Sequence, residues 1–494
     1  MVEFRQLLLC SAGAILTLAP GTPAQAEPTI AELLGEASQP QSQNTIRATA
    51  EDLTPNPNPL LFPTQPEEVQ TSQTQAITLK EAIEIGLRHN RDLEVAKLNL
   101  DRSREVLAQS LSAQYPTLTT QFNFQRADSA AQERALAISP NLIDPDPITT
   151  QITGNLRLNY NIYTGGSRSA QIRASQAQVR VNLLDVERLT EETTLDISTD
   201  YYNLQNASAQ VGIELAAVEE AQLSLRDAEL LEKAGLGTKF DVLRAQVDLA
   251  NAQQRLTLAR GNERTAQRQL VERLSLGQQV DLTTADPVQV AGEWNRSLEE
   301  TIILAYKNRA ELEQFLLQRK IDEEQQKIQL AAIRPQISLF AQYDVLEQLA
   351  DNVSPTDGLT IGAQIQWTLF DGGAARAARN QERVDVAIAE TRFANQRNEI
   401  RFEVEQAYFN LEANRKNIDT AKIAVELALE SLRLARLRFQ AGVGTQTDVI
   451  EAQTELTTAR GNLLTSIINY NQELAVLQRA VSNLPDNRLF DQYR

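Results

Sequence analysis

The sequence holds one cysteine, Cys10, and one histidine, His89. Cys10 lies in an N-terminal apolar stretch, so the chain beyond it carries no thiol. That excludes a disulfide framework and cysteine metal sites. His89 closes a short helical pattern, where the negative end of the helix favours it without any catalytic role. No Gly-rich loop ends in Gly-Lys-Ser/Thr, so there is no phosphate cradle. No group of side chains has metal-ligand spacing. An enzyme is therefore not expected, nor a cofactor. Past the N-terminal stretch no apolar run reaches about 18 residues, which excludes a membrane-spanning helix. The net charge of −18 denies the chain the basic face that nucleic acid requires. Aromatics make up 5% of the residues, few for a compact globular core. The apolar share rests on Ala and Leu, which suit long, closely approaching helices.

What is present starts with a leader. Met1 to Ala26 has a basic start at Arg5, an apolar run from Leu7 to Leu18, and a small-residue cleavage pattern at Ala24-Gln25-Ala26. These mark residues 1–26 as a secretory signal and the protein as one of the bacterial envelope. Residues 27–76 are rich in Pro, Gln, Ser and Thr and read as a disordered linker. Pro55, Pro57, Pro59, Pro63 and Pro66 forbid regular helix there.

From Ile77 the chain is duplicated. Leu79 to Tyr115 matches Leu298 to Arg334 at an offset of about 219 residues, and Pro116 meets Pro335. Later the offset becomes about 207: Gly165-Gly166 meets Gly372-Gly373, and Tyr201 meets Tyr408. One loop of the first copy must be about twelve residues longer. The division expected is a first repeat at 77–296, a second at 297–484, and a tail at 485–494.

Pro116 and Pro335 mark switches from helix to strand. After them the period is two. Leu118, Thr120, Phe122 and Phe124 alternate with polar neighbours, as do Leu156, Leu158, Tyr160 and Ile162. The second copy repeats this with Ile337, Leu339, Ala341, Tyr343 and Val345, Phe340 breaking the polar face, and with Ile361, Ala363, Ile365, Trp367 and Leu369. Runs of about ten residues suit tilted membrane-spanning strands. Half-buried strands of a soluble sheet alternate in the same way. Polar faces of Asn, Gln and Arg, and apolar faces free of charge, favour the membrane. Four such strands cannot close a barrel, and lipid does not tolerate an open edge. The chain must then associate. Three copies give twelve strands and an open bore, whereas an eight-stranded barrel is filled by side chains.

After each Gly-Gly pair, apolar residues recur every seven positions: Ile197, Leu204, Val211, Val218 and Leu225, then Val404, Leu411, Ile418, Val425, Leu432 and Phe439. This is a coiled-coil seam. Each pattern runs for about 67 residues, or about 100 Å of helix. Each ends at a repeated tip, AGLGTKFDVLRAQ from Ala234 and AGVGTQTDVIEAQ from Ala441. Gly-x-Gly-Thr stops one helix and starts the next. Asp448 and Glu451 share one helix face just past the second tip; Asp241 repeats the first of them, while Arg244 replaces the second. In a trimer these carboxylates form a ring that attracts cations at a tube's mouth. They also suit the positive end of any helix, and the spacing alone leaves both readings open.

The duplicated order of helices, Pro-strand, strand, Gly-Gly, long helix and tip resembles the TolC-like outer-membrane efflux channel family. The Leu-Phe-Asp-Gly-Gly run at Leu369 to Gly373 and both tip motifs add to the resemblance. It covers Ile77 to Leu484. It implies a mainly α fold with a transmembrane β part: a homotrimer with a twelve-stranded barrel in outer-membrane lipid and a long α-barrel through the periplasm. It implies a passive exit duct for efflux or type I secretion, working with a periplasmic adaptor and an inner-membrane pump. The adaptor-contact tips implied are Gly235, Leu236, Gly237 and Thr238, with Gly442, Val443, Gly444 and Thr445. The periplasmic gate implied is Asp448 with Glu451, and Asp241 falls on an aspartate of the closed-state lock. That lock's tyrosine and arginine correspond here to Phe439 and Gly444, which cannot make it. The alternative is a coiled-coil periplasmic adaptor, which has a single hairpin and no duplicated strands.

Overall fold

The computed structural model describes residues 34, 60, 62–66, 73–128, 130–138, 148–277, 279–349 and 354–481. The leader, the tail and most of the linker fall outside them. The first copy runs β1 (Gln73–Ile77), α1 (Leu79–His89), α2 (Arg91–Ser112), β2 (Thr117–Asp128), α3 (Ala130–Ile138), β3 (Ile148–Thr164), α4 (Ser167–Lys233) and α5 (Lys239–Arg273). The second runs β4 (Val280–Thr284), α6 (Leu298–Asn308), α7 (Ala310–Ala331), β5 (Gln336–Leu349), β6 (Thr356–Gln366), α8 (Ala374–Gln440) and α9 (Gln446–Ala480). The extra length of the first copy's loop carries α3. Both prolines sit at the expected switches, between α2 and β2 and between α7 and β5.

The long helices α4 and α8 have 67 residues each, about 100 Å at 1.5 Å per residue. Their heptad residues pack inward: Ile197, Leu204, Val404, Leu411, Ile418, Val425 and Leu432 are all buried. Each begins at a glycine with positive φ, Gly166 at 94° and Gly373 at 91°. A side chain is strained there, which is why a Gly-Gly pair precedes both helices.

Residues 73–77 were expected to fall largely in the linker. Instead Gln73–Ile77 pairs in parallel with Val280–Thr284. Asp286 fixes this small sheet to the helices. Its Oδ2 accepts from the Leu79 backbone N–H at 2.7 Å and from the fully buried Tyr201 hydroxyl at 2.7 Å.

The second sheet is antiparallel, in the order β2-β3-β5-β6. Register places the alternating apolar residues on one face, since directly paired residues point the same way. Leu118 pairs with Leu158, Leu156 with Tyr343, and Ala341 with Ile361. Phe122, Phe124, Leu359, Ile361 and Ile365 are exposed. Charge enters this face at one end, through Arg126, Glu347 and Asp357. The apolar band is therefore bounded there and not charge-free along its whole length. Two details differ from simple alternation. A bulge between Asn161 and Tyr163 leaves Ile162 as the extra residue and turns Tyr163 opposite Ile337. β6 ends at Gln366, short of Trp367 and Leu369; the Trp367 indole N–H donates instead to the Ile333 carbonyl at 3.1 Å.

Candidate functional site

The two tips repeat each other atom for atom in their turns. At the first, Gly235 has φ 71° and its N–H donates to Glu232, while the Leu236 and Gly237 N–H groups both reach the Leu231 carbonyl. At the second, Gly442 has φ 74° and donates to Phe439, and Val443 and Gly444 both reach Arg438. Such bonds satisfy carbonyls left over at a helix end. The second glycine of each motif is needed for a different reason. A Cβ on Gly237 would stand 3.1 Å from the Glu232 nitrogen, and one on Gly444 would stand 3.0 Å from Arg438 Cβ. A side chain at 444 would therefore crowd the turn.

Thr238 and Thr445 start α5 and α9 with matching capping boxes. The Asp241 N–H donates to Thr238 Oγ1 at 3.3 Å, and the Thr238 N–H returns to Asp241 Oδ2 at 3.1 Å. The Asp448 N–H donates to Thr445 Oγ1 at 3.2 Å, and the Thr445 N–H returns to Asp448 Oδ2 at 2.9 Å. Both aspartates thus satisfy helix-end donors. The bonds from Thr445 backbone and hydroxyl hold the Asp448 carboxyl below the usual carboxylate range. Asp448 remains ionised at neutral pH, half-exposed, with the exposed Glu451 one turn along the same face. Among the described residues, the hydrogen bonds of both aspartates lie inside their own caps and bring neither to the other. Leu236 and Val443 stand 77% and 71% exposed at the turn apexes.

Sequence reasoning missed what joins the two hairpins. Arg436 on α8 donates to the Glu220 carboxylate on α4. The Gln440 amide reaches Asp227 at 3.1 Å, and the buried Gln446 amide reaches Ser224 Oγ at 2.7 Å. Gln453 donates to the Glu220 carbonyl at 2.9 Å. Phe439 is buried. Partners more than 200 residues apart leave no local signal in the sequence.

A family model described as outer membrane efflux protein matches residues 82–276 and 301–483. The outer membrane efflux protein BepC of Brucella suis is 28% identical over 199 residues, 39% of this chain and 42% of BepC. The proteases secretion protein PrtF of Dickeya chrysanthemi is 24% identical over 231 residues, 45% of this chain and 47% of PrtF. The matched stretches thus span less than half of these two relatives. The Campylobacter jejuni CmeC outer membrane channel has the same fold, with a TM-score of 0.70 at 17% identity over 87% of this chain and 94% of that one. The structural likeness is to an outer membrane channel and not to an adaptor. The chain belongs to the outer membrane efflux protein family, and its place is the outer membrane.

Proposed function

We propose that three copies of the chain close into one passive duct across the outer membrane and periplasm, the exit of an efflux pump or type I secretion system. One observation carries this reading: among the described residues, the four-stranded sheet has two unpaired edges, β2 and β6, and an apolar face whose large side chains are exposed. In lipid every strand edge must pair. Joining β6 of one copy to β2 of the next pairs them all and puts the apolar face toward lipid and the polar face toward a wet bore. The helices support the same closure. Leu243, Val247 and Leu258 on α5 and Leu427, Leu434 and Leu437 on α8 are exposed apolar residues that a neighbouring copy would cover.

The duct does no chemistry; the energy comes from an inner-membrane pump. A periplasmic adaptor docks at the tips, where Gly235, Leu236, Gly237 and Thr238 alternate around the ring with Gly442, Val443, Gly444 and Thr445. The gate is the ring of Asp448 and Glu451, with Asp241 beside it. Ionised carboxylates there narrow the mouth and favour cations until the tips move apart.

The test is assembly and conduction together. Detergent-extracted protein should migrate as a trimer that collapses to monomer on boiling, and the same trimer should conduct in a planar lipid bilayer. A monomer without conductance overturns the duct. Accumulation of a small amphiphile in cells lacking the protein assigns it to efflux; retention of an unexported polypeptide assigns it to secretion.

A further inference from the structure

Among the described residues, the polar face of the sheet carries one aromatic side chain that alternation does not explain. Phe340 stands on it between Ser338 and Gln342. Its register partners are Asn159 on β3 and Gly362 on β6. A Cβ on Gly362 would stand 2.7 Å from Phe340 Cζ, so the ring lies across β6 in the space that glycine leaves. On the other side the Arg157 guanidinium sits over the ring, 5.2 Å from its centroid. Gly362 thus lies directly across from Phe340, and Arg157 reaches the ring diagonally, from the position that opposes Gln342.

Among the described residues, the polar face holds two charged groups, Arg157 and Asp344. They lie close in register: Asp344 opposes Asn155, and Gln342 opposes Arg157. They are nevertheless engaged separately. The Gln342 amide donates to Asp344 Oδ1 at 2.7 Å, while Arg157 rests on Phe340. A ring contact uses the face of a guanidinium and leaves its N–H donors available for a planar oxyanion. The side chain is also held in place by the ring, so less freedom is lost when it binds.

We propose that Arg157, seated on Phe340, forms with its copies in the other two protomers a cationic ring in the barrel bore that favours anionic solutes bearing carboxylate-type groups. The inference rests on the trimeric duct, because only closure turns this face into a bore. It makes the two ends of the duct opposite in preference: acidic at the helix tips, basic at mid-barrel.

The test uses full-length trimers in planar bilayers under a potassium chloride gradient. Arg157→Gln lowers the chloride-to-potassium permeability ratio by about threefold, the scale expected of three unit charges around a water-filled bore after salt screening. Arg157→Lys keeps the ratio near that of the unsubstituted protein. Asp344→Asn removes the opposing charge without touching Arg157 and raises the ratio. Phe340→Leu keeps the charge but removes its seat, and lowers the ratio by less than Arg157→Gln. An unchanged ratio in conducting Arg157→Gln trimers overturns the ring. Should that variant not assemble, an unchanged ratio in both Asp344→Asn and Phe340→Leu overturns it equally. Unsubstituted protein that neither trimerises nor conducts would instead count against the duct itself.

Discussion

The Arg436 guanidinium on α8 donates to the Glu220 carboxylate on α4, joining the two hairpins of one protomer across 216 positions of sequence. Burial pulls the pKa of Arg436 below its ordinary value, so the charge relies on its partner. Glu220→Gln leaves that charge half-buried and unmatched. The expected cost is about 1–2 kcal/mol, less than for a fully buried pair because both side chains keep some water. Amide hydrogen exchange in the last turns of α8 should quicken. Restoring slow exchange by pairing Glu220→Met with Arg436→Met would identify the unpaired charge as the cause; no recovery would locate the effect elsewhere.

The acidic face past the second tip makes the gate testable. Asp448→Ala together with Glu451→Ala should raise single-channel conductance and weaken cation selectivity. Part of any change could come from a loosened cap, since Asp448 closes the capping box of α9. Thr445→Ala separates the two: it removes the cap hydroxyl, at about 1 kcal/mol, and keeps both carboxylates. If Thr445→Ala alone reproduces the conductance change, the acidic ring is not the gate.

Arg309 sits 3% exposed at the start of α7. It donates twice to Glu311, at 3.0 and 2.9 Å, and once to Glu403 on α8 at 2.7 Å, while Arg479 on α9 reaches Glu311 at 2.8 Å. Burial disfavours the Glu311 charge, but the two arginines outweigh it and hold the pKa at about 2. A lowered acid pKa means that the unfolded chain binds the proton more readily. The stabilisation is thus complete above the ordinary carboxylate value and is lost as pH falls from about 4.5 toward 2. Arg309→Ala should cost about 3–5 kcal/mol at neutral pH by stranding Glu311. Denaturant unfolding at pH 7 and pH 3 measures both effects; an Arg309→Ala cost that is the same at the two pH values would refute the pairing.

Glu187 behaves in the opposite sense. It is buried on α4, and burial first, then the neighbouring Glu191, raise its pKa to about 7; Arg180 opposes the shift, while Glu313 and Glu311 add to it. The folded chain now holds the proton to higher pH than the unfolded chain. Stability from this residue is full below about 4.5 and falls as pH rises through 7. Glu187→Gln should remove that slope and stabilise the protein by about 1–2 kcal/mol at pH 8, after allowance for water reaching the site. A variant as pH-sensitive as the parent between pH 5 and 8 would place the slope on another group.

Family, fold and overall plan were legible from residue types alone. The period-two runs, the seven-residue repeat from Val404 to Phe439 and the proline switches each depend on residues a few positions apart. So do the turns at Gly235 and Gly442, because one residue with positive φ and one hydroxyl cap end and restart a helix wherever they occur. Duplication then made each local reading twice, which is why it held. Asp448 and Glu451 were visible as a pair on one helix face. The capping box that Asp448 closes with Thr445 was not read from the sequence, and a role at the mouth rests on the assembled trimer.

Tertiary structure decided the pairings between distant segments. Gln73–Ile77 became a strand because Val280–Thr284 lay beside it. Ile162 became a bulge because β3 had to stay in register with β5. Arg436 found Glu220, Arg309 found Glu403, and Arg157 found Phe340 through the sliding position of one packed element against another. No local propensity sets that position. It follows from which buried surfaces fit together, and it brings side chains within bonding distance only after the whole fold has formed.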